Sequence, residues 1–356
     1  MEGYEDELTI EAFTTKGLEF IAEREIRNRF PEAKIESKRD KRVIFRIKNA
    51  RLKELFKLKT VDDIQLLLKE FNKVKELSEQ FILENTPSRE IEHAITIIKQ
   101  LRPLSDTFSL TLSKYKNSSI DLYSLQQNFS KKITSLFNLG YTERDHKNFD
   151  LRIHIEASNL FFSCRIPRTS LYSRRYKICK RKGALKSTIA ASLCMMLSSK
   201  KGERLVDDFC GSGTILCEAL LQGFEPFGGD IDTESVECAR TNIRALSKEH
   251  VKNVRPLDAT STRWQNNYFD YAVSNYPWGK QIPLNGMVKL YENSIREYAR
   301  ILKKDGSVVL LGINPDLIVK YIKKYFSNHL IEKFKIGFLG QTPWVVYASP
   351  AKRKPL

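Results

Sequence analysis

The chain has 356 residues, 41% of them hydrophobic and 29% charged, enough for about two domains with cores of their own, which excludes a disordered tail protein. Sixty Lys and Arg against 43 Asp and Glu leave a formal net charge of +17. Self-repulsion of that size points to a polyanionic partner, nucleic acid or an anionic membrane surface before others. From the start, alternating apolar residues in Leu8 to Phe13 predict a strand, and Leu18, Ile21, Ala22, Ile26 and Phe30 recur at helical spacing from Gly17 to Phe30. Ala33 to Glu36 and Val43 to Ile47 predict two strands around the charged turn Lys38 to Lys41, followed by a helix at Arg51 to Leu58 and a strand at Ile64 to Leu68. This βαββαβ order is that of a ferredoxin-like unit, placed at residues 1–70.

A helical pattern from Lys73 to Gln100, a strand at Phe108 to Leu112, a helix at Leu122 to Phe137 and a hairpin, Phe149 to Ile155 with Leu160 to Ile166, predict a second small α/β unit at residues 71–167. The composition then changes. From Ala157 to Gly202 there is no Asp or Glu, while Arg165, Arg168, Arg174, Arg175, Lys177, Lys180, Arg181, Lys182, Lys186, Lys200 and Lys201 are all positive. Residues 168–186 are read as a basic linker. Tyr172 and Tyr176 are interleaved with its cations, a combination suited to phosphate contact and base stacking, so the block from Arg165 to Lys186 is assigned to RNA.

The C-terminal part, 187–356, repeats strand, turn and helix: Arg204 to Phe209, Thr214 to Gln222, Pro226 to Ile231, Glu234 to Leu246, Val254 to Leu257, Tyr268 to Ser274, Gly286 to Leu302 and Val308 to Gly312. Short strands rich in Val, Leu and Phe between amphipathic helices predict an α/β fold with a parallel sheet covered on both faces, whose ligands collect at the carboxyl ends of the strands. Ile331 to Phe338 and Trp344 to Ala348 predict an antiparallel hairpin at the sheet edge.

No apolar run reaches the roughly 18 residues of a bilayer span, and the start Met1-Glu2-Gly3-Tyr4-Glu5-Asp6-Glu7 is the opposite of a signal peptide. A cytoplasmic protein without membrane contact is expected, with no obligate protein partner evident. Six cysteines without a C-x-x-C pair and five scattered histidines argue against a disulfide framework and against a metal site.

The strongest local signal is Asp207-Asp208-Phe209-Cys210-Gly211-Ser212-Gly213-Thr214, a strand emptying into a Gly-x-Gly turn that opens a helix. A dinucleotide fingerprint would want a third glycine where Leu216 stands, and a P-loop would want Gly-Lys-Ser/Thr; neither is present. What remains is a nucleoside-type cofactor with a cationic or zwitterionic tail, for which an acid at the strand end, Asp207, is suited. Asp230, followed by Ile231, ends the second strand, where a carboxylate can accept both ribose hydroxyl protons. Asp258, followed by Ala259, ends the third and could accept from an adenine amine. Each acid alone could be a helix cap or Asx turn; three at successive strand ends is a rarer coincidence.

The fourth strand ends in Asn275-Tyr276-Pro277-Trp278-Gly279. An exocyclic amine on a base is a poor nucleophile because its lone pair is delocalised into the ring. Methylating it requires two acceptors for its protons and a flat platform. Asn275 supplies an amide oxygen, the Tyr276 carbonyl, extended before Pro277, supplies the second, and Trp278 offers the plate.

At these residues the chain resembles the class I S-adenosylmethionine-dependent methyltransferases: Asp207 to Thr214 is similar to their Asp-Pro-Phe-Cys-Gly-Ser-Gly-Thr cofactor segment, and Asn275 to Gly279 to Asn-x-Pro-(aromatic)-Gly. Thr15-Lys16-Gly17-Leu18-Glu19, and Leu171 to Tyr176 before Ala184-Leu185-Lys186, are similar to the THUMP-containing RNA guanine-N2 methyltransferases. The resemblance implies a Rossmann-like methyltransferase domain preceded by a ferredoxin-like plus THUMP module, the THUMP domain falling on 71–167. It implies S-adenosyl-L-methionine as cofactor and an RNA substrate, tRNA before 23S rRNA, methylated at guanosine N2 in the acceptor stem. Asp208 departs from the family's proline and is expected to add negative charge near the cofactor; Tyr276 departs from a proline or leucine. The rivals are a non-catalytic RNA-binding assembly factor and a DNA adenine-N6 methyltransferase.

Overall fold

Alternation of apolar residues in the first segment does form a strand, β1 (Glu7–Phe13), followed by α1 (Glu19–Arg29), β2 (Lys34–Arg39), β3 (Arg42–Lys48), a 3-10 helix (Asn49–Lys57) and β4 (Asp63–Phe71) in the computed structural model, which describes residues 7–115, 119–143, 148–197, 200–278, 284–338 and 340–351. All pairings in the order β2-β3-β1-β4 are antiparallel, the arrangement expected of a ferredoxin-like unit. The helix expected at Arg51 to Leu58 is 3-10 instead. Leu52, Leu55 and Leu58 are all buried, and a spacing of three matches the three residues per turn of that helix.

The long helical pattern after β4 is two helices, α2 (Glu79–Glu84) and α3 (Ser88–Leu101). Ser78 caps the first by accepting from the Phe81 N–H at 3.1 Å, and Pro87, which has no N–H and holds Thr86 out of the helical region, breaks the run. β5 (Thr107–Lys114), α4 (Leu122–Phe137), β6 (Gly140–Tyr141), β7 (Phe149–Glu156) and β8 (Asn159–Arg165) complete this unit. β4 pairs with β8, so residues 1–70 and 71–167 contribute to one eight-stranded sheet, β2-β3-β1-β4-β8-β7-β5-β6.

The chain divides into two units, Met1–Phe13 with Glu23–Leu171, and Thr14–Ala22 with Tyr172–Leu356. The second contains α5 (Ser187–Met195), β9 (Arg204–Asp207), α6 (Thr214–Leu221), β10 (Glu225–Asp230), α7 (Thr233–Arg244), a 3-10 turn (Glu249–Asn253), β11 (Val254–Pro256), β12 (Phe269–Asn275), α8 (Leu284–Ile301), β13 (Leu302–Gly312), α9 (Pro315–Tyr325), β14 (His329–Lys335) and β15 (Trp344–Pro350). Its sheet runs β11-β10-β9-β12-β13-β15-β14. β9 to β13 are parallel, and β14 and β15 form the expected antiparallel pair.

Both faces of this sheet are apolar, as a parallel sheet under helices requires. Leu205, Tyr271, Val273, Val309 and Leu311 pack in one cluster with Ile189 and Ile215. Their neighbours Val206, Ala272, Val308 and Leu310 pack in another with Tyr291, Ile295 and Ile318, since successive strand residues point to opposite faces. Helix α9, absent from the sequence reading, is started by Pro315 and buries Ile318, Tyr321 and Ile322.

Candidate active site

Strand order reverses between β9 and β12, and in such sheets ligands bind where the carboxyl ends of the diverging strands leave a crevice. Asp207 ends β9 and Asn275 ends β12. Asp207 is only 1% exposed. Its Oδ1 accepts from the Ser274 hydroxyl of β12 and from the Phe209 N–H at 3.2 Å, and burial pushes its pKa up to about 8.

Asp208 is equally buried, but its carboxylate accepts from Trp264 Nε1 at 2.9 Å, and its second oxygen has no hydrogen-bond partner. Burial raises this acid to about 7. The acid expected to add charge beside a cofactor is thus turned onto the indole of Trp264, a ring packed on the apolar layer that includes Tyr276 and Tyr298, and burial favours its neutral form.

The turn after β9 is left-handed twice, with φ of +51° at Gly211 and +75° at Gly213. A Cβ at Gly213 would lie 2.9 Å from the Ala239 Cβ of α7, whereas at Gly211 it would meet nothing within 4 Å. The first glycine therefore leaves backbone open to a ligand and the second lets α7 approach. The Gly211 N–H donates to Asp230 Oδ2 at 2.9 Å, and the Asp232 N–H to Asp230 Oδ1 at 3.0 Å; Asp230 thereby ties the turn to the end of β10. Cys210, Ser212, Thr214 and Ala259 are buried, while Ile231 is 77% exposed. An exposed isoleucine beside a part-buried acid and an open turn without Lys or Arg fits a nucleoside ligand with a cationic tail, the class expected for the cofactor.

Asp258 lies two residues beyond the end of β11. It is exposed, and its Oδ1 accepts from the Thr260 N–H and hydroxyl, both at 2.8 Å. It makes an Asx turn at the surface.

Across the crevice, Asn275 Oδ1 accepts from Trp278 Nε1 at 3.0 Å. The Tyr276 ring is fully buried, 4.7 Å from the rings of both Phe209 and Tyr291, with its hydroxyl paired to Ser294 at 2.9 Å. Tyr276 thus joins the glycine turn to α8 through its side chain. Pro277 and Trp278 are half-buried; Gly279 lies outside the described residues.

The basic block divides into cations turned onto the protein and cations exposed at its surface. Arg165, 2% exposed, donates to Asp63 at 2.9 Å. Arg174 and the Tyr176 hydroxyl both donate to Glu218 Oε1 at 2.8 Å. Lys177 donates to the Leu185 carbonyl at 2.8 Å, and Arg181 reaches Asp232 and Glu234 at 2.5 and 2.6 Å. Tyr176 is 3% exposed, which removes it as a stacking surface: its hydroxyl is turned inward onto Oε1 of the buried Glu218. Arg168, Arg175, Lys180 and Lys182 are exposed, and Lys186 lies 5.0 Å from the ring of the exposed Tyr172. Cys179 and Cys238 form a disulfide, correcting the reading that set disulfides aside; it joins the block to α7 over 59 residues of chain, a separation with no local signature. Among the described residues no group of three or more His, Cys, Asp or Glu could hold a metal, and no helix is long and apolar enough to cross a membrane.

Residues 174–338 match the family model described as UPF0020, RMKL-like, methyltransferase domain. The U6 snRNA (guanine-N(2))-methyltransferase THUMPD2 of Homo sapiens is 28% identical over 171 residues, 47% of this chain and 33% of that protein. The match thus spans about a third of that relative's length. A probable tRNA (guanine(10)-N2)-dimethyltransferase of Methanothermococcus thermolithotrophicus is 29% identical over 155 residues, 41% of this chain and 94% of that protein. The crystal structure of TrmN from Thermus thermophilus superposes with a TM-score of 0.77 at 20% identity, covering 96% of this chain and 99% of that one, a likeness of fold over nearly the whole chain.

Proposed function

We propose that this chain, whose residues 174–338 match the model of an RMKL-like methyltransferase domain, is an S-adenosyl-L-methionine-dependent RNA methyltransferase acting on the exocyclic N2 of a guanosine, with cytoplasmic tRNA as substrate and the acceptor stem as the place. The observation that carries it is the junction of Asn275-Tyr276-Pro277-Trp278 at the end of β12 with the glycine turn of β9. The relatives' activities on guanine N2 support the reaction class, and the residues 71–167 are read as the THUMP module that grips the RNA.

The cofactor supplies an electrophilic methyl on a sulfonium. Gly211, Asp230 and Ile231 would hold its nucleoside part, and Asp207 faces the same turn. Asn275 Oδ1 and the Tyr276 carbonyl accept the two N2 protons, so the amine pyramidalises and its lone pair becomes available. These contacts bind the charge-developing amine more tightly than the resting one, which is what lowers a barrier. The proton leaves to water after attack, and no side-chain base is needed. A paired guanine hides N2 in the minor groove, so the nucleotide is flipped at a cost of a few kcal/mol, partly offset by about 1 to 3 kcal/mol of stacking on Trp278.

Purified protein incubated with labelled S-adenosyl-L-methionine and separately with tRNA, rRNA, U6 RNA or duplex DNA tests the reading. Incorporation into tRNA as N2-methylguanosine, identified by nucleoside mass spectrometry, is the expected result. Label in DNA as N6-methyladenine, or RNA binding without incorporation into any RNA, overturns it.

A further inference from the structure

Resting on that reading, we infer that residues Thr14–Ala22 are a positioning element of the base pocket: they anchor the Gly337-Phe338 turn, which holds Trp278 so that its N–H fixes the carboxamide of Asn275 with the oxygen toward the base. The segment lies outside the stretch matched by the family model, although it clusters with the methyltransferase unit.

The last link of this chain of contacts is chemical. An indole nitrogen donates and never accepts, so the 3.0 Å contact from Trp278 defines which amide atom of Asn275 it faces. The carboxamide oxygen has two lone pairs and can keep the indole while accepting one N2 proton. A Phe at position 278 would give the same plate and leave the amide free to flip.

Trp278 is in turn held at its edge by Phe338, with ring centroids 5.8 Å apart and planes at 84°. Phe338 exchanges two backbone hydrogen bonds with Gln341, both 2.9 Å, and the preceding Gly337 N–H donates to the Lys16 carbonyl at 2.9 Å. On the other side of that bond, Gly17 sits at φ +89°, where a Cβ would fall 2.2 Å from the Lys335 carbonyl oxygen; its N–H is held by Glu19 Oε2 at 2.8 Å. Leu18 and Ile21 are fully buried in the cluster containing Ile336 and Val345, and Phe20 meets Phe334 edge-on at 5.2 Å. The two backbones touch with no room for a side chain, which is a fixed seat and not a loose crossing.

The test uses the full chain with Phe338→Ala, Phe338→Tyr and Gly17→Ala, and reads both activity and the indole. Misplacing a substrate-positioning group by about 1 Å costs up to about 100-fold in rate. Phe338→Ala and Gly17→Ala are therefore expected to lower kcat about 10- to 100-fold, with KM for tRNA and cofactor affinity by calorimetry within about twofold of wild type. Phe338→Tyr, which keeps the ring, restores kcat. The Trp278 N–H resonance, assigned by its loss in Trp278→Phe, should exchange with solvent faster in Phe338→Ala than in wild type. Unchanged indole exchange in Phe338→Ala overturns the inference, as does a kcat loss matched by an equal loss of cofactor affinity. A wild-type protein that methylates no RNA overturns the functional reading instead, and the indole measurement still decides the clamp.

Discussion

On the β9 side of the crevice, backbone N–H groups do the positioning: Gly211 and Asp232 both donate to Asp230, and Phe209 donates to Asp207. On the β12 side, side chains hold one another, Trp278 on Asn275 and Phe338 on Trp278. Main-chain donors are set by the fold and survive most substitutions, whereas a string of side chains fails at any link. The first side should therefore govern affinity for the small ligand and the second the rate of transfer.

Asn275→Ala is the sharpest test of that division. Loss of one preorganised polar group at a reacting centre costs about 100- to 1,000-fold in turnover, so labelled-methyl transfer should fall by at least that much while calorimetric cofactor affinity stays within about twofold. If affinity falls with turnover, the two sides are not separate. Next comes Arg174→Ala, which leaves Glu218, fully buried, without its cation. Breaking a buried pair costs about 3 kcal/mol or more, seen as a lowered denaturation midpoint with the salt dependence of RNA binding unchanged.

Asp230→Asn weakens charge-assisted bonds worth about 1.5 to 3 kcal/mol, so cofactor affinity should drop about 10- to 100-fold with turnover at saturating cofactor little changed. Replacing Arg175, Lys180 and Lys182 together by Ala should leave stability nearly unaltered but reduce the slope of log affinity against log salt by about 2 to 3. An unchanged slope places the RNA on another face. The smallest effect is on pH. The fold favours protonated Asp208, whose pKa is raised to about 7 by burial; its contribution to stability is full below the ordinary carboxylate range and is lost as pH rises toward 7. Asp207, raised to about 8, extends the same decline. Asp208→Asn should flatten the fall in melting temperature between pH 5 and 8.

The alternating strands, the glycine turn and the acids at strand ends were legible because each depends on neighbours a few residues away. Asp230 was found at its strand end for that reason, and so was Asn275. Asp258 shows the limit of the method: the same local rule that placed it after β11 also closes an Asx turn at Thr260. The basic block misled in part, since charge density along the chain does not reveal which cations have partners. Arg174 and Arg181 find theirs 44 to 53 residues away.

From the order of residues alone came the α/β class, the ferredoxin-like start and the pairing of a glycine turn with an Asn-x-Pro-aromatic strand end, because hydrophobic period and turn chemistry are short-range. Tertiary packing decided which arginines pair with Glu218 and Asp63, joined Cys179 to Cys238, and seated Lys16 and Gly17 against the turn that carries Phe338. Those outcomes rest on distances between segments far apart in the chain, and only the closed sheet and its helices bring such segments together.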